Sequence, residues 1–319
     1  MTSNSAFVFP GQGSQTVGMG QALADASAAA RTVFEAVDDA LGQDLSGLMF
    51  EGDADTLTLT ENAQPALMAV SLAALAVLRE RTGQDLPDLA GFVAGHSLGE
   101  YSALTAAGAL SLADTARLLK RRGQAMQRAV PVGQGAMAAL LGLDPDAAGG
   151  VATAAAEATG GICTIANDNA DGQVVVSGHK AAVERAVLLA ADRGAKKSVL
   201  LPVSAPFHCP LMQPAADEMA EALASVVIQP PSVPLVSNVL AEAVADPAAI
   251  RDLLVRQVTG VVRWRESVSW LAGQGVSKLV EVGTGRVLSG LARRIDRSLK
   301  AIPLNTIADI DGLPDKLAA

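Results

Sequence analysis

Aromatic residues are scarce: Phe, Trp and Tyr make up 3% of 319 positions, and tyrosine occurs once. A surface that stacks nucleobases needs such rings, and one that grips phosphates needs an excess of positive charge. Here 24 Lys and Arg face 33 Asp and Glu, for a net charge of −9. Both shortages argue against a nucleic-acid partner. Cysteine is nearly absent as well. Cys163 and Cys209 lie far apart and lack metal-ligand spacing, which predicts a reduced, cytoplasmic protein without disulfides. Residues 1–6 show no basic region leading into an apolar core, so no secretion signal is read there. The longest charge-free apolar stretch, 63–78, is short of a bilayer span and is interrupted by Gln64, Pro65 and Ser71. It predicts a buried core helix and no membrane contact. What the chain has in quantity is apolar bulk: 50% hydrophobic residues, enough for one large domain or two modest ones.

The rest of the chain is organised around Gly95-His96-Ser97-Leu98-Gly99-Glu100-Tyr101. An apolar run over 89–94 leads in and an Ala-rich segment follows, the layout of a strand, a sharp turn and a helix. Such a turn holds its serine in a strained conformation, and glycines at 95 and 99 remove Cβ atoms that would clash. Ser97 then stands exposed at the strand end. The Leu98 N–H points the same way, at the positive end of the next helix. A plain Gly/Ser strand-helix turn is the alternative.

In chain order, 6–9 reads as a short buried strand running into Pro10-Gly11-Gln12-Gly13-Ser14-Gln15. This loop is either an ordinary Gly-rich turn or a place where backbone approaches a ligand, with Gln12 offering an amide donor. No Lys-Ser/Thr follows, so it is not a phosphate loop. Helices are expected over 19–41 and 63–81. Ser111 and Asp114 resemble a capping box opening a helix toward Val130. That helix carries Lys120-Arg121-Arg122, which by charge alone reads as a solvated face.

Residues 131–135 read as a linker. Strands near 137–143, 162–166, 173–177 and 198–203, with helices over 146–158 and 179–192, then give the order β-α-β-β-α-β. That is the ferredoxin-like pattern, predicting a small domain inserted into a larger one. The chain returns at Ala205-Pro206-Phe207-His208-Cys209-Pro210 and continues with a helix over 211–225, a strand near 235–237, a helix over 250–258, a strand over 278–282 and a last amphipathic helix.

A serine hydroxyl needs a base to attack, most often histidine. His96 sits within the turn and should point away from any partner of Ser97; His179 begins a helix of the small domain. His208, in a Pro-bracketed segment re-entering the large domain, is the best candidate. No Asp or Glu stands out as its partner, and a backbone carbonyl can fix the ring tautomer instead. Cys209 reads as packing.

Phe9 to Gln15, Gly95 to Tyr101, Arg122-Gly123, Val203 to Cys209, Val255-Arg256-Gln257 and Glu281-Val282-Gly283 recur in this order in one family. The chain resembles the malonyl-CoA:acyl-carrier-protein transacylases of type II fatty-acid synthesis over about residues 6–300. The resemblance implies an α/β fold: an α/β-hydrolase-like catalytic domain of residues 1–130 and 205–319, with an inserted ferredoxin-like subdomain of residues 131–204. It implies Ser97 as acylated nucleophile, His208 as base, and the backbone N–H groups of Gln12 and Leu98 as oxyanion donors. Arg122 would pair with the malonyl carboxylate, and Gln257 would support His208 through its backbone carbonyl. Thr284 stands where many relatives have proline, a departure confined to a turn.

Also implied is a ping-pong reaction between malonyl-CoA and holo acyl carrier protein, with no metal or redox cofactor. Carrier proteins of this kind are acidic, so docking on an acidic enzyme calls for a local basic patch. Lys196, Lys197, Arg293 and Arg294, with Arg286 and Arg297 nearby, are the candidates. A monomer suffices for this chemistry. Polyketide acyltransferases, malonate decarboxylase subunits and thioester hydrolases are the rival readings.

Overall fold

The structure, a computed structural model, describes residues 4–318. Residues 1–3 and 319, which the expected domain boundaries and the N-terminal reading include, lie outside the described residues. Its strands are β1 (Ser5–Phe9), β2 (Phe92–Gly95), β3 (Gly135–Leu141), β4 (Cys163–Ala170), β5 (Gln173–His179), β6 (Lys197–Leu200), β7 (Leu235–Val236), β8 (Ala243–Val244), β9 (Lys278–Val282) and β10 (Lys300–Leu304).

Strand β1 is buried along its whole length because both of its faces are apolar. Phe7 and Phe9 enter one hydrophobic core, and Ala6 and Val8 enter another on the opposite face. Burial on both faces is the condition of a central parallel strand. Accordingly β1 lies inside a six-stranded sheet of order β10-β9-β1-β2-β7-β8, parallel throughout except for the β7–β8 pair. Helix Thr60–Thr82 covers one face, flanked by helices Ala28–Leu41 and Leu112–Ala129. Helices Trp264–Gly273 and Val287–Ile295 cover the other. The mixed α/β class expected from sequence therefore holds. Helix Thr60–Thr82 is long and apolar enough to cross a bilayer, yet 78% of its most apolar window is buried within the protein. It is a core helix.

Strands β3 to β6 form a separate antiparallel sheet of order β4-β5-β3-β6. Helices Pro145–Thr159 and Lys180–Asp192 pack on it around their own small core. Two register irregularities in β4, at Ile165/Asn167 and Asp168/Ala170, bend that strand toward the large sheet. There Asn167 bridges Val262, and the Asp168 carboxylate meets Arg265 at 2.8 Å.

Two local expectations need correction. The helix expected over 19–41 is two helices, Gln21–Ala26 and Ala28–Leu41, because Ser27 leaves helical geometry and caps the second by accepting the Ala30 N–H. The apolar run before Ser97 is not strand from residue 89. A one-turn helix, Leu86–Leu89, with proline in its first turn and a capping box at Asp85, occupies its start.

Candidate active site

Ser97 lies at the sharp turn between β2 and helix Gly99–Ala106, with φ of 53°. A non-glycine residue rarely takes this conformation, and here the surroundings enforce it. The junction is so tight that a Cβ on Gly95 would run into the backbone of Gly99, and one on Gly99 into the Phe9 carbonyl. The Ser97 N–H donates to Asn238 Oδ1 at 2.8 Å, while its carbonyl accepts from Gln257 Nε2 at 2.9 Å. Both peptide groups of the strained residue are therefore held by side-chain amides.

His208 arrives from the segment following β6 and also has a positive φ, 59°. Its Nε2 lies 2.8 Å from Ser97 Oγ and its Nδ1 2.9 Å from the Gln257 carbonyl oxygen. Burial, then the Arg122 guanidinium, pushes its pKa down to about 3, so the ring is neutral. With Nδ1–H donating to the carbonyl, Nε2 is left to accept the serine proton.

Arg122 is 1% exposed. Its neighbours Lys120 and Arg121 pair with Glu61 and Glu218 at the surface, as charge alone suggested, but Arg122 does not join them. It falls on the helix stripe with Leu118, Leu119, Ala125 and Met126, a spacing that already marks it as inward-facing. Nη1 donates to Gln64 Oε1 at 2.8 Å, and Nη2 donates to Gln257 Oε1 at 2.9 Å and to Ser97 Oγ at 3.0 Å. Burial holds its pKa below the ordinary arginine value, and Tyr101 and Glu100 oppose this.

The Gly-rich loop closes the other side. Gly11 approaches the elbow so closely that a Cβ would sit 2.8 Å from the His96 carbonyl oxygen. The Gln12 side chain is turned to Thr60, 3.3 Å away. Among the described residues the backbone N–H groups of Gln12 and Leu98 have no acceptor. Both residues, with Ser97, Arg122 and His208, line a cavity of about 440 Å³. Asn169 from β4 also lines it and meets His96 Nε2 at 2.8 Å, tying the small sheet to the elbow.

The structure thus brings together Ser97, His208, Arg122, Gln257, Gln12 and Leu98. It leaves Lys196, Lys197, Arg293 and Arg294 exposed on the outer surface. Sequence reasoning missed Gln64, Glu100, Asn169 and Asn238. Gln64 had a signal, a polar side chain near the start of an apolar core helix. Glu100 is 1% exposed and accepts from the Asn238 N–H at 2.5 Å and from Gln257 Nε2. Burial raises its pKa to about 8, against the pull of these donors and Arg122.

A serine on a strained elbow, hydrogen-bonded to a neutral histidine beside a buried cation, is the make-up of an enzyme that handles charged acyl groups. The chain belongs to the acyl transferase domain family, which matches residues 6–306. It is 46% identical over 303 residues to the malonyl CoA-acyl carrier protein transacylase of Bacillus subtilis, covering 95% of this chain and 94% of the relative. The crystal structure of the acyl-carrier-protein S-malonyltransferase of Bartonella henselae matches with a TM-score of 0.95 at 55% identity, covering 99% of each chain. A type II PKS acyl-carrier protein in complex with its malonyl-transacylase matches with a TM-score of 0.94 at 42% identity, covering 98% of this chain and 100% of that one. The resemblance drawn from the motifs stands.

Proposed function

We propose that this chain is an [acyl-carrier-protein] S-malonyltransferase, moving the malonyl group of malonyl-CoA to the phosphopantetheine thiol of acyl carrier protein. The observation that carries the reading is the placement of the Arg122 guanidinium 3.0 Å from Ser97 Oγ, where a carboxylated acyl group on the serine would meet it. In the reaction, His208 Nε2 takes the Ser97 proton as Oγ attacks the thioester carbonyl. The oxyanion rests on the Leu98 and Gln12 N–H groups. Coenzyme A leaves with the proton, and malonyl is held as an ester of Ser97. The carrier thiol then gives its proton to His208, attacks the ester, and Ser97 recovers its proton. One acyl ester or thioester replaces another, so no metal or redox cofactor is called for.

Charge links the binding and chemical steps. The Arg122 cation disfavours a second positive charge on His208. A malonyl carboxylate neutralises that cation, and the imidazole becomes a better base only when the right acyl group is bound.

We read the fold as an α/β-hydrolase-like catalytic domain of residues 1–130 and 205–319 with a ferredoxin-like insertion at 131–204. In support, the insertion's strands, numbered within it, run 2-3-1-4 with every neighbour antiparallel. The protein is read as a cytoplasmic monomer serving fatty-acid chain extension. Polyketide synthesis is the second reading, favoured by the match to the PKS transacylase complex.

Intact-protein mass spectrometry tests the function. Malonyl-CoA should leave a malonyl adduct on Ser97 that disappears as malonylated carrier forms. An adduct lost equally fast without carrier would point to a hydrolase, and no adduct would overturn the reading.

A further inference from the structure

We infer that Glu100 is a positioning residue for acyl-group selection: its buried carboxyl fixes which end of the Gln257 side-chain amide faces Arg122, and so aims the guanidinium. The inference rests on the malonyl reading above. Glu100 occupies the first turn of helix Gly99–Ala106, directly behind the elbow. Its two oxygens each face an N–H donor, the Asn238 backbone on Oε1 and Gln257 Nε2 on Oε2.

An amide side chain has a donor end and an acceptor end, and the network around it decides their direction. Every partner of the Gln257 nitrogen is an acceptor: Glu100 Oε2, the Ser97 carbonyl at 2.9 Å and Asn238 Oδ1 at 3.3 Å. Its oxygen faces Arg122 Nη2, a donor, at 2.9 Å. Turning the amide over would put NH₂ against the guanidinium and leave the Ser97 carbonyl facing an oxygen. Glu100 blocks that turn because it also has a second fixed donor, the Asn238 N–H, and cannot rotate away to accommodate it. The Asn238 side chain in turn holds the Ser97 N–H and donates to the Gly95 carbonyl at 2.7 Å. One carboxyl thereby steadies two residues whose amides grip the elbow, Asn238 and Gln257, and the second of these also supports the arginine.

The Gln257 group that serves His208 is its backbone carbonyl, which a side-chain turn does not move. Loss of Glu100 should therefore injure recognition of the acyl carboxylate more than the serine–histidine chemistry.

In Glu100→Gln the amide oxygen stays on the Asn238 backbone N–H, which cannot turn, so the new NH₂ faces Gln257 Nε2 and the conflict is relieved by turning Gln257. The experiment measures Ser97 acylation by mass spectrometry with malonyl-CoA and, as a probe whose acyl group is uncharged, acetyl-CoA, alongside a thermal melt, at a pH above the raised Glu100 pKa of about 8, where the carboxylate accepts on both oxygens. Misaiming a positioning group by about 1 Å costs on the order of a hundredfold. The malonyl-to-acetyl rate ratio in Glu100→Gln is expected to fall about tenfold to a hundredfold, whereas loosening of the Gln257 hold on the Ser97 carbonyl lowers both rates alike and leaves the ratio unmoved. Gln257→Met should give the same shift, and the double variant E100Q/Q257M no further one, because a single path is cut twice. A parallel fall in both acylations, or additive shifts in the double variant, overturns the inference. If Glu100→Gln does not fold, Glu100→Asp carries the comparison, with a smaller shift expected and an unchanged ratio counting against the inference. A wild-type protein that takes no malonyl adduct overturns the malonyl reading instead.

Discussion

His208 Nδ1 lies 2.9 Å from the backbone carbonyl of Gln257, where many serine enzymes place a carboxylate. A carbonyl dipole fixes the tautomer as well as a carboxylate does, but it stabilises a protonated ring far less. Burial and the Arg122 charge are then free to press the pKa down to about 3. Since kcat/KM reports groups of the free enzyme, its acidic limb for malonyl transfer should lie well below the ordinary histidine value of about 6.5. A limb centred near that ordinary value would contradict the assignment.

The same shift bears on stability. A folded-state pKa below the unfolded one means that the unfolded chain binds a proton first as pH falls. His208 therefore contributes stability that is complete above about 6.5 and is lost as pH drops toward about 3. The melting temperature of His208→Gln should fall less steeply across that window than that of the wild type. Parallel melting curves would show that the ring titrates normally.

Arg122 supplies the selectivity test. Hydrogen bonds to charged groups are each worth about 1.5–3 kcal/mol, or roughly tenfold to 150-fold in rate. Arg122→Ala should lose malonyl transfer by at least that range, while tolerating a monocarboxylate acyl group better than the wild type. Because Gln64 and Gln257 both lean on the guanidinium, the variant should also melt at a lower temperature. Equal loss with malonyl-CoA and acetyl-CoA would remove Arg122 from acyl recognition.

What the sequence disclosed divides along the range of the interactions. The elbow was legible because its constraint is local: Gly95 and Gly99 are four residues apart and pack on one another. The small antiparallel sheet and its two helices were legible because six elements with clear periodicity follow in order. His208 emerged by elimination among three histidines. Asn238 and Asn169 left no local trace, since each is defined by a distant partner: Asn238 holds a peptide group 141 positions away. Arg122 sits between these cases. Charge type suggested solvent, whereas its place on the apolar stripe of its helix pointed inward.

The elbow itself can be tested by a single methyl group. A Cβ at Gly95 would overlap the Gly99 backbone, with no flexible side chain to yield. Gly95→Ala should cost about 3 kcal/mol or more and abolish acylation of Ser97. Gly150, in the interior of helix Pro145–Thr159, has open space around its Cβ direction. Gly150→Ala should be neutral or stabilising by up to about 1 kcal/mol. Comparable melts for the two variants would show that the turn is looser than its geometry indicates.

Carrier docking is tested by charge. Lys196 and Lys197 are exposed at the start of β6, a few residues before Leu201, Pro202 and Val203 reach the cavity wall. Arg293 and Arg294 are exposed on helix Val287–Ile295, where Arg294 donates to Gln173 on β5 at 2.7 Å. Arg286 begins that helix beside Gly285, which packs against Ser14 of the Gly-rich loop. Two basic groups thus lie on segments that run to the rim of the cavity. Against an acidic carrier they would act at short range, where attraction outweighs the repulsion of two net negative proteins. Lys196→Glu combined with Arg294→Glu should weaken holo carrier binding by about tenfold or more at low salt, with less difference from wild type as salt rises. Acylation of Ser97 by malonyl-CoA should be retained, because neither residue lines the cavity. Carrier affinity that is unchanged at low salt would move the docking surface elsewhere.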